Sequence, residues 1–424
     1  MAFLILAGFL VLFLLGFPVV LSIILPAVIY LLTYNLPLDM IAQRLQYSLD
    51  SYPLVAVPVF ILVGNLMNFT GITQAIFNFA NALVGRVYGG LAQVNVLASL
   101  IFAGMSGAAL ADVGGLGQIE IKGMIDKGFR KEDAAAVTVA SATAGPIFPP
   151  SIPLIIYGAV TGVSVVKLLL GGIVPALICT IMLMITVAVL ARRRNWPRAE
   201  RWPTCREIVR DLKPAFPALM APVLLISGMV SGYFTPTEAA SICVLYILII
   251  SYFYYRELTF KTLMTATLET IKTSCSILVI IAAASLFGWI LAVEKMPQVV
   301  REGILRFREN PLILLLMLNL FFLLVGMFLD STTSTLLIIP MLAAPVAACG
   351  IDPVHLGLIV IFNLMIGLIT PPMGLSLFLV SNIARVSIKN VLNELPPYFI
   401  ALLITLALIT YVPQLTLWIP NMIK

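Results

Sequence analysis

Charge is scarce in this chain. Asp, Glu, Lys and Arg make up 10% of the 424 residues, against 61% hydrophobic residues. A soluble globular chain carries about 25% charged residues. The deficit excludes a soluble enzyme and a protein that holds nucleic acid through phosphate contacts; the net charge of +6 belongs to loops and speaks to orientation. Histidine is nearly missing as well. One residue, His355, cannot build a histidine cluster, and it is expected in an ordinary loop or interfacial position. The five cysteines, Cys179, Cys205, Cys243, Cys275 and Cys349, have no paired spacing. That excludes a disulfide framework or a zinc site and leaves small apolar packing residues. A basic start and a small-residue cleavage site are also lacking, so no cleavable signal peptide is expected. Finally, the apolar runs do not alternate, which excludes a transmembrane β-barrel.

What is present is a series of apolar runs of spanning length from Phe3 to Leu417. About 20 apolar residues cross a bilayer. The fold class is therefore an all-α polytopic membrane protein embedded in a lipid bilayer. Its first apolar run extends to about Leu32. One connector is clearly aqueous, residues 191–213, "ARRRNWPRAERWPTCREIVRDLK". Its basic excess makes it cytoplasmic by the positive-inside rule.

This connector divides two related halves, about 1–190 and 214–424. Pro149-Pro150 recurs as Pro371-Pro372, a shift of 222. The same shift pairs Gly104-Met105 with Gly326-Met327, Gly128 with Gly350, Gly145 with Gly367, Lys167 with Lys389 and Pro175 with Pro397. The connector "KGMIDKGFRKED" of the first half is basic, and its counterpart "APVAACGIDPVHL" has no Lys or Arg. The first is expected inside and the second outside. Tracing spans at 134–164, 167–190, 215–234, 237–255, 263–293, 356–384 and 398–419 agrees with that assignment. Residues 297–309 carry external cations among apolar residues and are expected as an amphipathic interfacial helix. The result is an inverted-topology repeat, the architecture of secondary transporters.

Four segments break the apolar pattern at depth. Two read as tips of re-entrant hairpins at about 92–128 and 312–350: "FAGMSGAALADVGG" and "VGMFLDSTTSTLLIIP". Two are proline breaks within spans: "TAGPIFPPSIP" and "IGLITPPMGLS". Freed carbonyls with Ser and Thr hydroxyls suit a hard cation such as Na⁺, and half-helix N-termini suit a carboxylate. Asp112 and Asp330 are intramembrane acids, read either as ion-site residues or as caps of the hairpin tips. Asn65, Asn68, Thr237 and Glu238 are lesser polar intrusions, and "FTPTE" reads as a helix cap at Thr235. No Arg lies in the four motifs.

At "GMSGAALADVGGLGQ", "ATAGPIFPPSIPLIIYG", "GYFTPTEAAS", "GMFLDSTTSTLLIIP" and "GLITPPMGLSLFLVS" the chain resembles the large membrane (permease) subunit of the TRAP transporters, the tripartite ATP-independent periplasmic transporters. The resemblance covers essentially the whole chain and leans toward the sialic acid branch. It implies an elevator-type transporter of the bacterial inner membrane that takes up an organic acid, sialic acid or a C4-dicarboxylate, with Na⁺ as coupling ion. It implies a periplasmic substrate-binding protein and a small four-helix membrane subunit as partners, the latter as a separate chain, because this one ends soon after its second repeat. It implies a scaffold at about 1–85 and 167–295 and a transport domain at about 90–165 and 312–385. Substrate contacts fall on Ser106, Thr143, Ser151, Thr332, Thr333, Met373 and Gly374. Na⁺ ligands fall on Gly104, Ser106, Asp112, Thr143, Gly145, Pro149, Gly326, Asp330, Ser331, Thr370 and Pro371. A stand-alone Na⁺/organic anion symporter of the same superfamily is the neighbouring alternative. An intramembrane aspartyl protease would need a Gly-x-Gly-Asp setting, which neither "AALAD" nor "GMFLD" supplies.

Overall fold

The computed structural model describes residues 2–197 and 204–422, without the side chains of Ala2 and Cys205. Arg198, Glu200 and Arg201 of the basic connector lie outside the described residues.

The first half contains α1 (Ala2–Leu14), α2 (Val19–Thr33), α3 (Asp39–Leu49), α4 (Tyr52–Asn68), α5 (Ile72–Val84), α6 (Leu91–Ser106), α7 (Ala109–Gly114), α8 (Leu116–Asp126), α9 (Lys131–Ser141), α10 (Ile152–Thr161), α11 (Val165–Gly171) and α12 (Ile173–Arg194). A 3₁₀ turn, Ala142–Ile147, precedes the proline break. The initial apolar run is not one element. It turns at Gly16-Phe17-Pro18, where Gly16 takes φ +87°, and α1 packs back on α2. Proline at the start of α2 costs nothing there, since the first helical N–H groups have no intrahelical partner.

The second half contains α13 (Cys205–Val230), α14 (Pro236–Ile249), α15 (Phe260–Val293), α16 (Met296–Leu305), α17 (Pro311–Phe328), α18 (Ser331–Ala347), α19 (Pro353–Gly367), α20 (Leu375–Ala384), α21 (Ile388–Glu394), α22 (Pro396–Tyr411) and α23 (Gln414–Met422). Thr235 and Glu238 form the capping box expected from "FTPTE". The amphipathic helix foreseen at 297–309 is α16. The last span, expected as one helix over 398–419, instead bends by 56° between α22 and α23, because Pro413 cannot donate to the helical ladder. Among the described residues, six helical stretches, counting α9–α10 and α11–α12 as one each, are long and apolar enough to cross a membrane, or up to nine with each bent pair taken as one span.

The repeat is visible in local structure. Helices α9 and α19 start 222 residues apart. Gly128 and Gly350, just before them, both have positive φ, +91° and +83°. Ala108 and Asp330, again 222 apart, both occupy N-cap positions, of α7 and α18.

Two bodies result. In one, α2, α3 and α4 pack along the 34-residue α15, and α14 packs on α4 and α13. In the other, α6 packs on α9, α12 and the 3₁₀ turn, while α19 packs on α17, α22 and the same turn. Helix α12 therefore sits with the hairpins and broken helices. Contacts of α4 with α6 and α10, and of α15 with α18, join the bodies. Within the second body the halves exchange partners: α10 packs on α18, and α20 packs on α7 and α8. That reciprocity is what a two-fold relation between the halves produces.

His355 is not the loop or interfacial residue expected. It lies in the first turn of α19 with 2% of its surface exposed. Its Nδ1 is 2.7 Å from Thr416 Oγ1 and its Nε2 3.2 Å from the Thr410 carbonyl. A buried imidazole needs such partners, and the end of α22 with the start of α23 provides them. Of the cysteines, Cys179, Cys243 and Cys349 are buried and Cys275 is exposed, all as free thiols.

Candidate functional site: two hairpin tips on two proline breaks

Each proline break lies against the hairpin tip of its own half. In the first half Gly107 ends α6 in the left-handed region, φ +62°. Only glycine takes that conformation without strain, and a side chain would also collide with the Pro150 carbonyl. The Gly107 carbonyl accepts from Ile152 N at 3.3 Å. In the second half the Met327 carbonyl accepts from Met373 N at 3.1 Å. Both paired-proline bonds, Pro149–Pro150 and Pro371–Pro372, are cis.

Inside the first break, Ser151 caps α10. Its Oγ accepts from Leu154 N at 3.2 Å and donates to the Pro146 carbonyl. Thr143 Oγ1 donates to the Ala140 carbonyl at 2.7 Å. Thr143, Gly145, Pro149 and Ser151 are all buried. The second break is more open. Thr370, Pro371 and Met373 are half-buried and Pro372 is exposed. Thr370 Oγ1 donates to the Ile366 carbonyl at 2.7 Å, and Gly374 starts α20 without a side-chain cap. Gly326 of α17 meets Gly367 of α19 backbone to backbone, and a Cβ on Gly367 has no room. At the equivalent crossing, a Cβ on Gly145 would lie 3.6 Å from Ala103 Cβ, an ordinary contact.

The two acids part company. Asp330 is a helix cap. Its Oδ2 accepts from Thr332 N at 2.9 Å and from Thr333 N at 3.2 Å, and its Oδ1 accepts from the Thr333 hydroxyl. These bonds satisfy N–H groups that α18 would otherwise leave unpaired at depth. Asp112 is 2% exposed, and neither of its oxygens has a hydrogen-bond partner among the described residues. Ser106 Oγ nearby in sequence, and Ser334 Oγ, Thr335 Oγ1 and Ser376 Oγ in the second half, are likewise buried and unpartnered. The predicted residues thus gather into two half-sites: Gly104, Ser106, Asp112, Thr143, Gly145, Pro149 and Ser151 in one, and Gly326, Asp330, Ser331, Thr332, Thr333, Thr370, Pro371, Met373 and Gly374 in the other. The α10–α18 and α7–α20 packings interlock them. Their unpartnered groups are oxygens without exception, a donor set suited to a hard cation.

The sequence reading passed over one acid. Glu120 on α8 is 1% exposed with both oxygens unpartnered. Its only signal is position, between Ile119 and Ile121 in an apolar stretch.

The model of the DctM component of the tripartite ATP-independent periplasmic (TRAP) transporters matches residues 6–415. The chain belongs to this family. The sialic acid TRAP transporter large permease protein SiaM of Vibrio cholerae is 42% identical over 98% of this chain and 97% of that protein. The C4-dicarboxylate TRAP transporter large permease protein DctM of Rhodobacter capsulatus is 33% identical over the full length of both. The sialic acid TRAP transporter permease protein SiaT of Haemophilus influenzae is 40% identical over 90% of this chain, which spans 62% of that longer protein. These TRAP relatives are named as permeases, and none as an enzyme. In fold, the chain is similar to the YdaH transporter of Alcanivorax borkumensis, described as having an unusual topology (TM-score 0.60, 16% identity, 91% of this chain and 89% of that one). It is also similar to MtrF of Neisseria gonorrhoeae (TM-score 0.56, 14% identity, 92% and 84%). The TRAP large permease is therefore a multi-pass helical membrane protein of a transporter fold.

Proposed function

We propose that this chain imports an organic acid across the bacterial inner membrane, driven by Na⁺, as the large subunit of a three-part transporter. The observation that carries this reading is the pair of half-sites, each a hairpin tip on a proline break, holding buried oxygens without protein partners. Buried oxygens of that kind need a partner, and a bound cation coordinated by hydroxyls, carbonyls and the Asp112 carboxylate supplies one. A carboxylate substrate is then held by bound cations, hydroxyls and half-helix N-termini, in keeping with four motifs that contain no Arg. Sialic acid is the favoured substrate class, since the relative named for it is 42% identical, against 33% for a C4-dicarboxylate relative. The remaining partners are a periplasmic binding protein that delivers the acid and a small four-helix subunit on a separate chain.

The transport step is an elevator movement of the second body, α6–α12 with α17–α23, against the first. Helix α12 travels with the hairpins in this reading, because it packs on α6 and α22. The first half-site is sealed and the second partly open, an access pattern that the sliding would reverse. The test is reconstitution with the small subunit and the cognate binding protein. Uptake of labelled sialic acid is expected with external Na⁺ and not when K⁺ replaces it. Equal uptake in both salts would sink the Na⁺-coupled reading.

A further inference from the structure

Glu120 has no part in the half-sites above, and it is the most deeply buried acid among the described residues. An acid at depth is costly unless it is paired. Another acid acts on it: the charge of Asp112 reaches it. All four oxygens of the two carboxylates lack hydrogen-bond partners among the described residues. Ser99, close enough to act on the Asp112 carboxyl, completes no hydrogen bond with it, because its hydroxyl is directed to Ser141 Oγ at 3.1 Å.

Two further unpartnered oxygens lie on the segments that flank Asp112 or press on them. Ser106 is 2% exposed and its hydroxyl is unpartnered. The buried amide oxygen of Asn68 is also unpartnered. It is aimed at the junction of α7 and α8, so closely that a side chain on Gly115 would collide with it. Asn68 belongs to α4, which is in the other body. One turn earlier on the same face of α4, a Cβ on Gly64 would lie 3.1 Å from Ser106 Cα. Positions four apart on a helix are neighbours on one face, about 6 Å along the axis. Ser106 and the α7–α8 junction therefore lie side by side under α4, with Asp112 on the segment between them. On α8, Gly117 faces Thr138 of α9, and Glu120 is one turn further along that same face.

We propose that Glu120 and Asp112 jointly hold a hard cation, and that Asn68 adds an oxygen to it from the facing body. This rests on the Na⁺-coupled reading and extends it in two ways. With Glu120 added to it, the first half-site has two carboxylates, where the second has none free: position 342, the counterpart of Glu120, is Leu, and position 334, the counterpart of Asp112, is Ser. The cation also spans the surface along which the bodies slide. Its release from Asn68 must accompany movement, so its occupancy sets how readily the second body leaves the position seen here.

The experiment uses the complete membrane complex with its small subunit. NaCl is titrated against choline chloride at constant ionic strength, and the thermal unfolding midpoint is read. Wild type is expected to rise with Na⁺. For Glu120→Gln, the midpoint without Na⁺ is expected to hold or rise, because a buried charge is gone, while the Na⁺ concentration for half effect increases at least tenfold. Asn68→Leu is expected to raise that concentration at least threefold. A lower midpoint for Glu120→Gln with an intact Na⁺ response would mean a protonated structural pair and overturn the proposal. If Glu120→Gln does not assemble, Asn68→Leu decides, and an unchanged response overturns. A wild type deaf to Na⁺ ends the Na⁺-coupled reading. A response to MgCl₂ or CaCl₂ that Glu120→Gln loses would then still support the shared cation, and silence to all three salts would refute both.

Discussion

Asp133 of α9 is ion-paired with Arg194 at the end of α12, and the residues 222 positions later, His355 and Thr416, are hydrogen-bonded to each other. Each pair ties the helix that opens a broken span to the segment that closes the same repeat. One tie is ionic and the other is neutral in form. The ionic one recruits Arg130, 2.8 Å from Asp133, and Glu394, 2.6 Å from Arg194 and 3.0 Å from Arg130. It thereby also fastens α21 to α9 and α12.

Arg194→Met should leave Asp133 buried with Arg130 as its one cation. Breaking a buried pair costs about 3–5 kcal/mol, and the 30% exposure of Arg194 together with the remaining Arg130 lowers the expectation to about 1–3 kcal/mol. The thermal midpoint of purified protein measures it. Asp133→Asn with Arg194→Met should be less destabilised than the sum of the two single changes. Additive losses would show that the pair contributes no coupling.

Gly367→Ala and Gly145→Ala occupy equivalent positions with opposite expectations. The first forces the α17–α19 crossing apart at Gly326 and should cost about 1–3 kcal/mol through overpacking. The second meets Ala103 at normal contact distance and should cost under about 1 kcal/mol. Expression level and midpoint of the two variants compared side by side decide it.

Asp330→Ala removes three bonds at the start of α18. A lost cap costs about 0.5–2 kcal/mol, so the variant should be less stable, and the tip should lose transport through misplaced Thr332 and Thr333. Asp330→Ser retains an acceptor and should recover most of both. Full uptake by Asp330→Ala would remove Asp330 from any part in the mechanism.

The opposite orientation of the halves predicts opposite labelling. Phe129 and Ile351, flanking the two connectors, are buried, so the informative pair is Asp126 and Ala348, both exposed and 222 apart. In a cysteine-free background, Asp126→Cys should react with an impermeant maleimide only from the cytoplasmic side and Ala348→Cys only from outside. Reaction of both from one side would end the inverted-repeat assignment.

The parts of the fold legible in the sequence were those written in residues with strong backbone consequences. Pro149-Pro150 and Pro371-Pro372 announced the breaks, and Thr235 with Glu238 announced a cap, because proline and capping side chains act within a few residues of themselves. The grouping of the tips with their own breaks came from the family resemblance. What escaped depended on distant partners. His355 is surrounded by apolar residues only after α22 and α23 close over it. Glu120 carries no local signal beyond its place between two isoleucines, and α8 is covered by α6, α9 and α20 only in the folded chain. Asp330 could be read as ligand or cap because an acid before Ser-Thr-Thr serves either role, and only hydrogen-bond geometry separates them.

The exchange of partners between α10 and α18, and between α20 and the α7–α8 arm, has a consequence for how the molecule is made. The first half leaves the ribosome more than 150 residues before α18 exists. Until then α10 can lie against α4 and α11 of its own half, but the face that α18 will cover stays open. The early half must wait in the membrane as loosely associated helices, its proline break exposed to lipid or to a chaperone. Synthesis of the second half therefore closes the first, and a chain halted after α12 would be born with its first half-site uncovered.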